Sequence, residues 1–177
     1  RKLTLGDKAN AIAAHDLWRR TFAEVGRDYP DVRTEVALVD AAGMWMIKNP
    51  EWFDVVVTPN LFGDILTDLG AILQGGMGVA ASGNLHPGKV SMFEPIHGSA
   101  PKYRGQNKAM PVAAIAAGAM MLDTLGEKAA AAALEGAIER LLVSRRIPSL
   151  GTDSGLGTVQ VGDLVLAELK AAARTAS

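Results

Sequence analysis

The sequence predicts an α/β fold in which strands alternate with helices in the order β-α-β-α-β-α over the first part of the chain. Two observations predict it. Apolar stretches of strand length recur at Lys2–Leu5, Val32–Val39 and Val55–Val57, and each is followed by a stretch with helical periodicity. A chemistry-bearing side chain, Lys8, Asp40 or Asp64, then follows each strand at its C-terminal end. Strands that alternate with helices favour a parallel sheet, and the natural site of such a sheet lies at the C-terminal ends of its strands.

Each element has its own justification. Lys2–Leu5 alternates polar and apolar residues, and Gly6–Asn10 reads as a tight polar connection. Ala11–Val25 reads as a helix with Ala14, Trp18, Phe22 and Val25 on one stripe, ended by Gly26 and Pro30. Val32–Val39 is the next strand, and Asp40–Lys48 a helix with Asp40 as its N-cap. Val55, Val56 and Val57 form a short buried strand. Thr58-Pro59-Asn60 breaks it, because proline lacks a ladder donor and restrains the residue before it. Asn60 is the expected N-cap of a helix that starts at Leu61.

On that helix Asp64 and Asp68 are four residues apart, so their carboxylates share a face. Two like charges so placed repel by roughly a few tenths of a kcal/mol, and a cation between them reverses the sign. Ile65, Leu66, Leu69, Ile72 and Leu73 predict a mostly buried helix, which keeps the carboxylates from lying simply on its outside.

Gln74–Pro111 has a different texture. It is rich in Gly and Pro, holds one expected strand at Val90–Phe93, and contains a segment, Glu94–Pro101, too specific in composition to be a spacer. Val112–Leu125 and Lys128–Val143 read as helices joined at Gly126, Ile147–Gly157 as a loop, and Thr158–Ala173 as a final helix.

Composition excludes several classes. The 177 residues carry a net charge of −1, so neither a nucleic-acid surface nor a polybasic membrane patch is expected. Cysteine is absent, which removes disulfides, thiolate nucleophiles and thiolate metal sites. No apolar run approaches the roughly 18 residues of a membrane span, and no signal peptide is visible, so a cytoplasmic location is expected. The chain starts on Arg1 and runs almost at once into a strand, which reads as a piece of a longer protein.

Phosphate motifs give little. Gly83–Lys89 has P-loop spacing, but Val90 stands where the magnesium-binding hydroxyl belongs and a strand follows where a helix should. A GxGxxG fingerprint is absent, and its nearest match, Gly75-Gly76-Met77-Gly78, follows a helix rather than a strand. His97 lies in the Gly/Pro-rich loop, where backbone donors can approach a ligand, whereas His15 and His86 read as surface residues. Trp18, Trp45 and Trp52 read as core or interface and the methionines as packing.

Four segments occur in a fixed order: DKAN from Asp7, VDAAGMWMIKNP from Val39, NLFGDILTD from Asn60 and FEPIHGSAP from Phe93. Together they resemble the metal-dependent β-decarboxylating dehydrogenases, the family of isopropylmalate, isocitrate, homoisocitrate and tartrate/D-malate dehydrogenases. The resemblance covers nearly the whole chain. It implies an isopropylmalate dehydrogenase-like two-domain fold without a Rossmann fingerprint, of which only the C-terminal half is present. Residues 1–73 would then belong to the central, dimer-forming, metal-site domain, and 74–177 to the cofactor-binding domain.

The same resemblance assigns roles. Asp40, Asp64 and Asp68 would bind Mg²⁺ or Mn²⁺, with Asp40 and Lys8 coming from the neighbouring subunit, so that a homodimer shares its active sites. Hard divalent cations take carboxylate oxygens, which suits three aspartates. Lys8 would remove the hydroxyl proton of a 2-hydroxy acid, hydride would pass to NAD or NADP, and CO₂ would leave. Asn10 resembles the residue near nicotinamide and substrate. His97, Gly98, Ser99, Ala100, Lys102 and Tyr103 lie in a loop that resembles the family's adenosine-binding loop. Lys102-Tyr103 resembles the pair that NADP-using members place against the 2′-phosphate. Met110 departs from the family, which has an adenine-contacting asparagine there. Asn107 stands nearby.

For the substrate, 3-isopropylmalate comes first, with tartrate/D-malate and isocitrate as alternatives. A reading of another class, a non-catalytic fragment or subunit, is disfavoured by the presence of Lys8 and all three aspartates.

Overall fold

A computed structural model describes residues 1–151 and 154–175. The chain divides into two compact units between Leu73 and Gln74.

The first unit is built on a three-stranded sheet of order β2-β1-β3, with β1 at Lys2–Asp7, β2 at Arg33–Leu38 and β3 at Val55–Val57. Both pairings are parallel, as strands joined through helices require. Flanked on both sides, β1 buries Thr4, Leu5, Gly6 and Asp7. It runs two residues beyond the expected Leu5, because Gly6 and Asp7 still pair with Ala37 and Leu38.

Three helices complete this unit: α1 at His15–Gly26, α2 at Val39–Lys48 and α3 at Asn60–Leu73. Helix α1 starts four residues later than the expected Ala11. The Ala11 and Ile12 amides both donate to the Lys8 carbonyl, at 2.9 and 2.8 Å, and this turn uses up the segment before the helix. The predicted stripe on α1 is only partly covered. Trp18, Phe22 and Val25, with Leu3 and Val57, line an apolar groove of about 540 Å³.

Asp40 is not an N-cap. Strand β2 runs straight into α2, so Leu38 takes the extended cap position (φ −66°, ψ 137°) and Asp40 falls inside the first turn, where the helix dipole still favours its charge. Asn60 likewise is the first residue of α3 rather than its cap, and the Pro59 carbonyl accepts from Phe62 and Gly63.

Helix α3 is not mostly buried, contrary to its sequence pattern. Leu66 and Ala71 are buried, while Ile65 is 58% and Ile72 65% exposed. The covered face is the one against α2. Asp64 and Asp68 lie on the exposed part. The Trp45 and Trp52 rings stack at 4.6 Å between centroids, joining α2 to a 3-10 turn at Pro50–Trp52.

In the second unit a hairpin of β4 (Ala81–Asn84) and β5 (Met92–Pro95) packs against α4 (Val112–Thr124), followed by α5 (Lys128–Val143) and α6 (Thr158–Thr175). The expected strand at Val90–Phe93 is shifted. Val90 is 93% exposed, and the strand begins at Met92 because its antiparallel partner Asn84 fixes the register there. The P-loop-like segment Gly83–Lys89 joins these strands and leads into β5, with no helix to hold phosphate.

The core here is made by Met110, Val112, Ala137, Leu141, Ile147, Val161 and Val165. Arg140 and Arg146 grip Glu168 at 2.8 and 3.0 Å, tying α6 to the end of α5. The predicted loop at Ile147–Gly157 includes Thr152 and Asp153, which lie outside the described residues; its other residues hold no helix or strand. Among the described residues no helix is long and apolar enough to cross a membrane.

Leu141 is fully buried in this core. Truncation by Leu141→Ala leaves a cavity and is expected to cost about 2–5 kcal/mol, read from the urea midpoint at unchanged slope.

Candidate active site

The C-terminal end of β1 is held by an ion pair between a buried aspartate and a partly exposed arginine. Asp7 has 0% of its surface exposed, and both carboxylate oxygens are taken by the Arg19 fork, Nε at 2.6 Å and Nη2 at 2.8 Å. The Ala9 amide adds a longer bond of 3.4 Å. Burial pushes the Asp7 carboxyl up, but the Arg19 hydrogen bonds outweigh it and hold the group below the ordinary aspartate range.

Lys8 follows immediately. Its amide donates to His15 Nδ1 at 3.1 Å and its carbonyl accepts from Ala11 and Ile12. Its Nζ reaches Asp40 Oδ1 at 2.7 Å, joining the ends of adjacent parallel strands. This bond, with help from the backbone amides of Asp40 and Ala41, holds the Asp40 carboxyl below its usual range. His15 is therefore not a surface residue. It is half-buried, and its ring meets Phe62 edge-on at 5.4 Å and 71°. His86 is exposed, as expected, and so is Asn10.

Asp64 and Asp68 lie one turn apart on α3. Among the described residues no three acidic or histidine side chains converge to hold a metal, so Asp40 does not join them within one chain. The donor set still fits a hard divalent cation, since all three residues offer carboxylate oxygens.

The second unit contains a cavity of about 530 Å³ lined by His97, Gly98, Ser99, Ala100, Tyr103, Arg104, Met110 and Leu150, among others. His97 Nδ1 lies 2.9 Å from the Gly98 carbonyl oxygen, and Ala100 sits in the left-handed region (φ 43°), the kind of strained backbone found at ligand clamps. Gly75, Gly76 and Gly78, set aside in the sequence for want of a Rossmann fingerprint, line this cavity too. A Cβ at Gly78 would lie 3.0 Å from Met110 Cβ and 3.1 Å from the Leu150 carbonyl oxygen, so glycine lets the wall close.

Lys102 does not line the cavity; its Nζ lies 4.8 Å over the Tyr103 ring, and the cation on the wall is Arg104. Asn107 does not stand in for the missing asparagine either. Its carboxamide oxygen accepts from Val159 at 3.0 Å and its carbonyl from Thr158, which caps α6.

These observations define an α/β protein with a lysine–aspartate pair at the strand ends and an exposed carboxylate pair on the following helix. The sequence model of the isocitrate/isopropylmalate dehydrogenase family matches residues 1–165, and the chain belongs to that family. It is 53% identical over 148 residues to a 3-isopropylmalate dehydrogenase of Frankia casuarinae, covering 82% of this chain and 43% of that one. It is 49% identical over 170 residues to one of Mycobacterium avium, covering 94% and 49%. Its fold matches the crystal structure of isocitrate dehydrogenase from Methylococcus capsulatus with a TM-score of 0.90 at 40% identity, covering 96% of this chain and 51% of that one. A β-decarboxylating dehydrogenase from Thermococcus kodakarensis in its apo form matches with a TM-score of 0.77 at 32% identity, covering 96% and 49%. The chain thus spans about half the length of these curated relatives.

The Asp7 pair makes an acid-stability prediction. Its carboxyl titrates below the ordinary value of 3.8 in the folded chain. Its stabilisation is therefore complete above that pH and is lost as pH falls through the folded value. Urea unfolding from pH 5 downward is expected to show this loss in the parental protein, and Asp7→Asn, weaker at pH 5, should converge towards it below about pH 4.

Proposed function

We propose that the chain is the C-terminal half of an NAD(P)-dependent oxidoreductase that oxidises and decarboxylates a 2-hydroxy dicarboxylic acid, with 3-isopropylmalate as the first substrate. The observation that carries this reading is the Lys8–Asp40 pair at the ends of adjacent parallel strands, in a chain of this family. The names of the curated relatives support 3-isopropylmalate. Isocitrate is the second reading, favoured by the Methylococcus capsulatus neighbour.

In this proposal residues 1–73 belong to a dimer-forming domain and residues 74–177 to a cofactor-binding domain. Asp64 and Asp68 of one protomer and Asp40 of its partner hold Mg²⁺ or Mn²⁺, which, when bound, polarises the substrate hydroxyl and carbonyl. Lys8, also from the partner, takes the hydroxyl proton on Nζ, directly or through one water. Asp40 holds Nζ in place until then. NAD or NADP, when bound, would supply the hydride acceptor. By the family resemblance Asn10 is the residue proposed for the nicotinamide end, and the loop of His97, Gly98, Ser99, Ala100 and Tyr103, with Lys102 over the Tyr103 ring rather than on the cavity wall, is the one proposed for the adenosine. Arg104 on the cavity wall adds a guanidinium suited to a 2′-phosphate, which favours NADP.

The test is steady-state reduction of NAD and NADP by the full-length protein with Mn²⁺ and 3-isopropylmalate, D-malate, tartrate or isocitrate. Turnover with 3-isopropylmalate is expected. Loss of an outer-shell partner typically costs 10–100-fold, so Asp64→Asn, which removes a ligand, should lower kcat/KM by about 100-fold or more. Absence of turnover with every pair, in a well-folded protein, would contradict the reading.

A further inference from the structure

We infer that helix α1 carries the positioning residues for Lys8: His15 through its Nδ1, and Arg19 through Asp7. The inference rests on the reading of Lys8 as the base. A lysine carries its ammonium on a flexible four-carbon stem, so the direction in which Nζ is presented depends first on how the backbone is held at Cα. The β1 ladder ends at Asp7, which pairs with Leu38, so the Lys8 amide has passed beyond its last strand partner. His15 Nδ1 takes that amide at 3.1 Å. Because the amide donates, Nδ1 carries the lone pair and the ring proton sits on Nε2. The Lys8 carbonyl is occupied by Ala11 and Ile12, so both of its backbone polar groups are fixed.

One residue earlier, the Arg19 fork grips Asp7 at 2.6 and 2.8 Å. His15 and Arg19 are four residues apart on α1 and therefore share a face, so one helix holds two successive residues, Asp7 by its side chain and Lys8 by its backbone amide. At the far end of the side chain Nζ meets Asp40 at 2.7 Å. The His15 ring is itself steadied edge-on by Phe62. In this arrangement neither His15 nor Arg19 needs to touch the substrate; His15 acts through the Lys8 amide and Arg19 through the Asp7 side chain.

The test uses the full-length enzyme with Mn²⁺ and its best substrate. His15→Phe keeps a ring against Phe62 and removes the acceptor. His15→Asn places a carboxamide oxygen near the position of Nδ1. Lys8→Met removes the base. His15→Phe is expected to lower kcat about 10- to 100-fold, the range typical of outer-shell partners, while the KM for the dinucleotide and the half-saturating Mn²⁺ stay unchanged. His15→Asn should recover most of that loss. Hydrogen exchange at the Lys8 amide should accelerate in His15→Phe and slow again in His15→Asn, a readout that needs no turnover. Arg19→Lys, which keeps the charge but not the fork, should also lower kcat at constant dinucleotide KM, and it decides the matter if His15→Phe does not fold.

Parental kcat in His15→Phe, with Lys8→Met inactive, overturns the inference and leaves the reading of Lys8 standing. So does a raised Mn²⁺ requirement at unchanged kcat, because it would move the role of His15 to the Phe62 contact. Activity that survives Lys8→Met, or a parental protein without turnover, overturns both.

Discussion

The pairing of buried Asp7 with Arg19 is the constraint on which the first unit depends. A carboxylate with no exposed surface is costly unless paired, and here both oxygens are matched by one guanidinium. The pair sits at the C-terminal end of the central strand, where the chain leaves the sheet, and ties that exit to the first helix. Directly after it come the tight turn that closes on the Lys8 carbonyl and the meeting of Lys8 with Asp40 across adjacent strands. The pair sustains a geometry in which a flexible lysine has a defined place.

The chain presents two sets of groups that the described residues do not bring together into one metal site. Lys8 and Asp40 are joined to each other, while Asp64 and Asp68 lie exposed on α3. In the proposed dimer this separation has a simple geometric role. A two-fold axis repeats every surface, so the lysine half of one protomer meets the carboxylate half of the other twice over. The exposed apolar residues Ile65 and Ile72 on the same helix accord with a face that another surface covers.

Much of the fold was legible in the sequence because its signals are local. Val55–Val57 announces a strand by its β-branched run, although the expected burial is not met because β3 lies at the sheet edge and leaves Val55 58% exposed; the final three helices appear where their periodicity and Gly126 place them. Strand β4 escaped notice because Ala81–Asn84 contains no β-branched or aromatic residue; pairing with β5 makes it a strand. The late start of α1 and the in-helix place of Asp40 depend on where backbone bonds are spent, which composition does not reveal. At the site, the roles of Lys8 and the aspartates were proposed from motifs. The parts played by Asp7, His15 and Arg19 were missed, although the four-residue spacing of His15 and Arg19 was visible. Burial of α3 was misjudged because its apolar residues face more than the single helix packed on it.

The central claim of the proposal is that Lys8 and the carboxylate pair of Asp64 and Asp68 at one site come from different protomers. Subunit mixing tests it directly: full-length Lys8→Met and Asp64→Asn, each inactive alone, are mixed in equal amounts under conditions that exchange subunits. Half of randomly formed dimers are mixed and each mixed dimer retains one intact site, so the account predicts recovery of about one quarter of parental activity. Mixed dimers that form, as shown by mass, but remain inactive would contradict it.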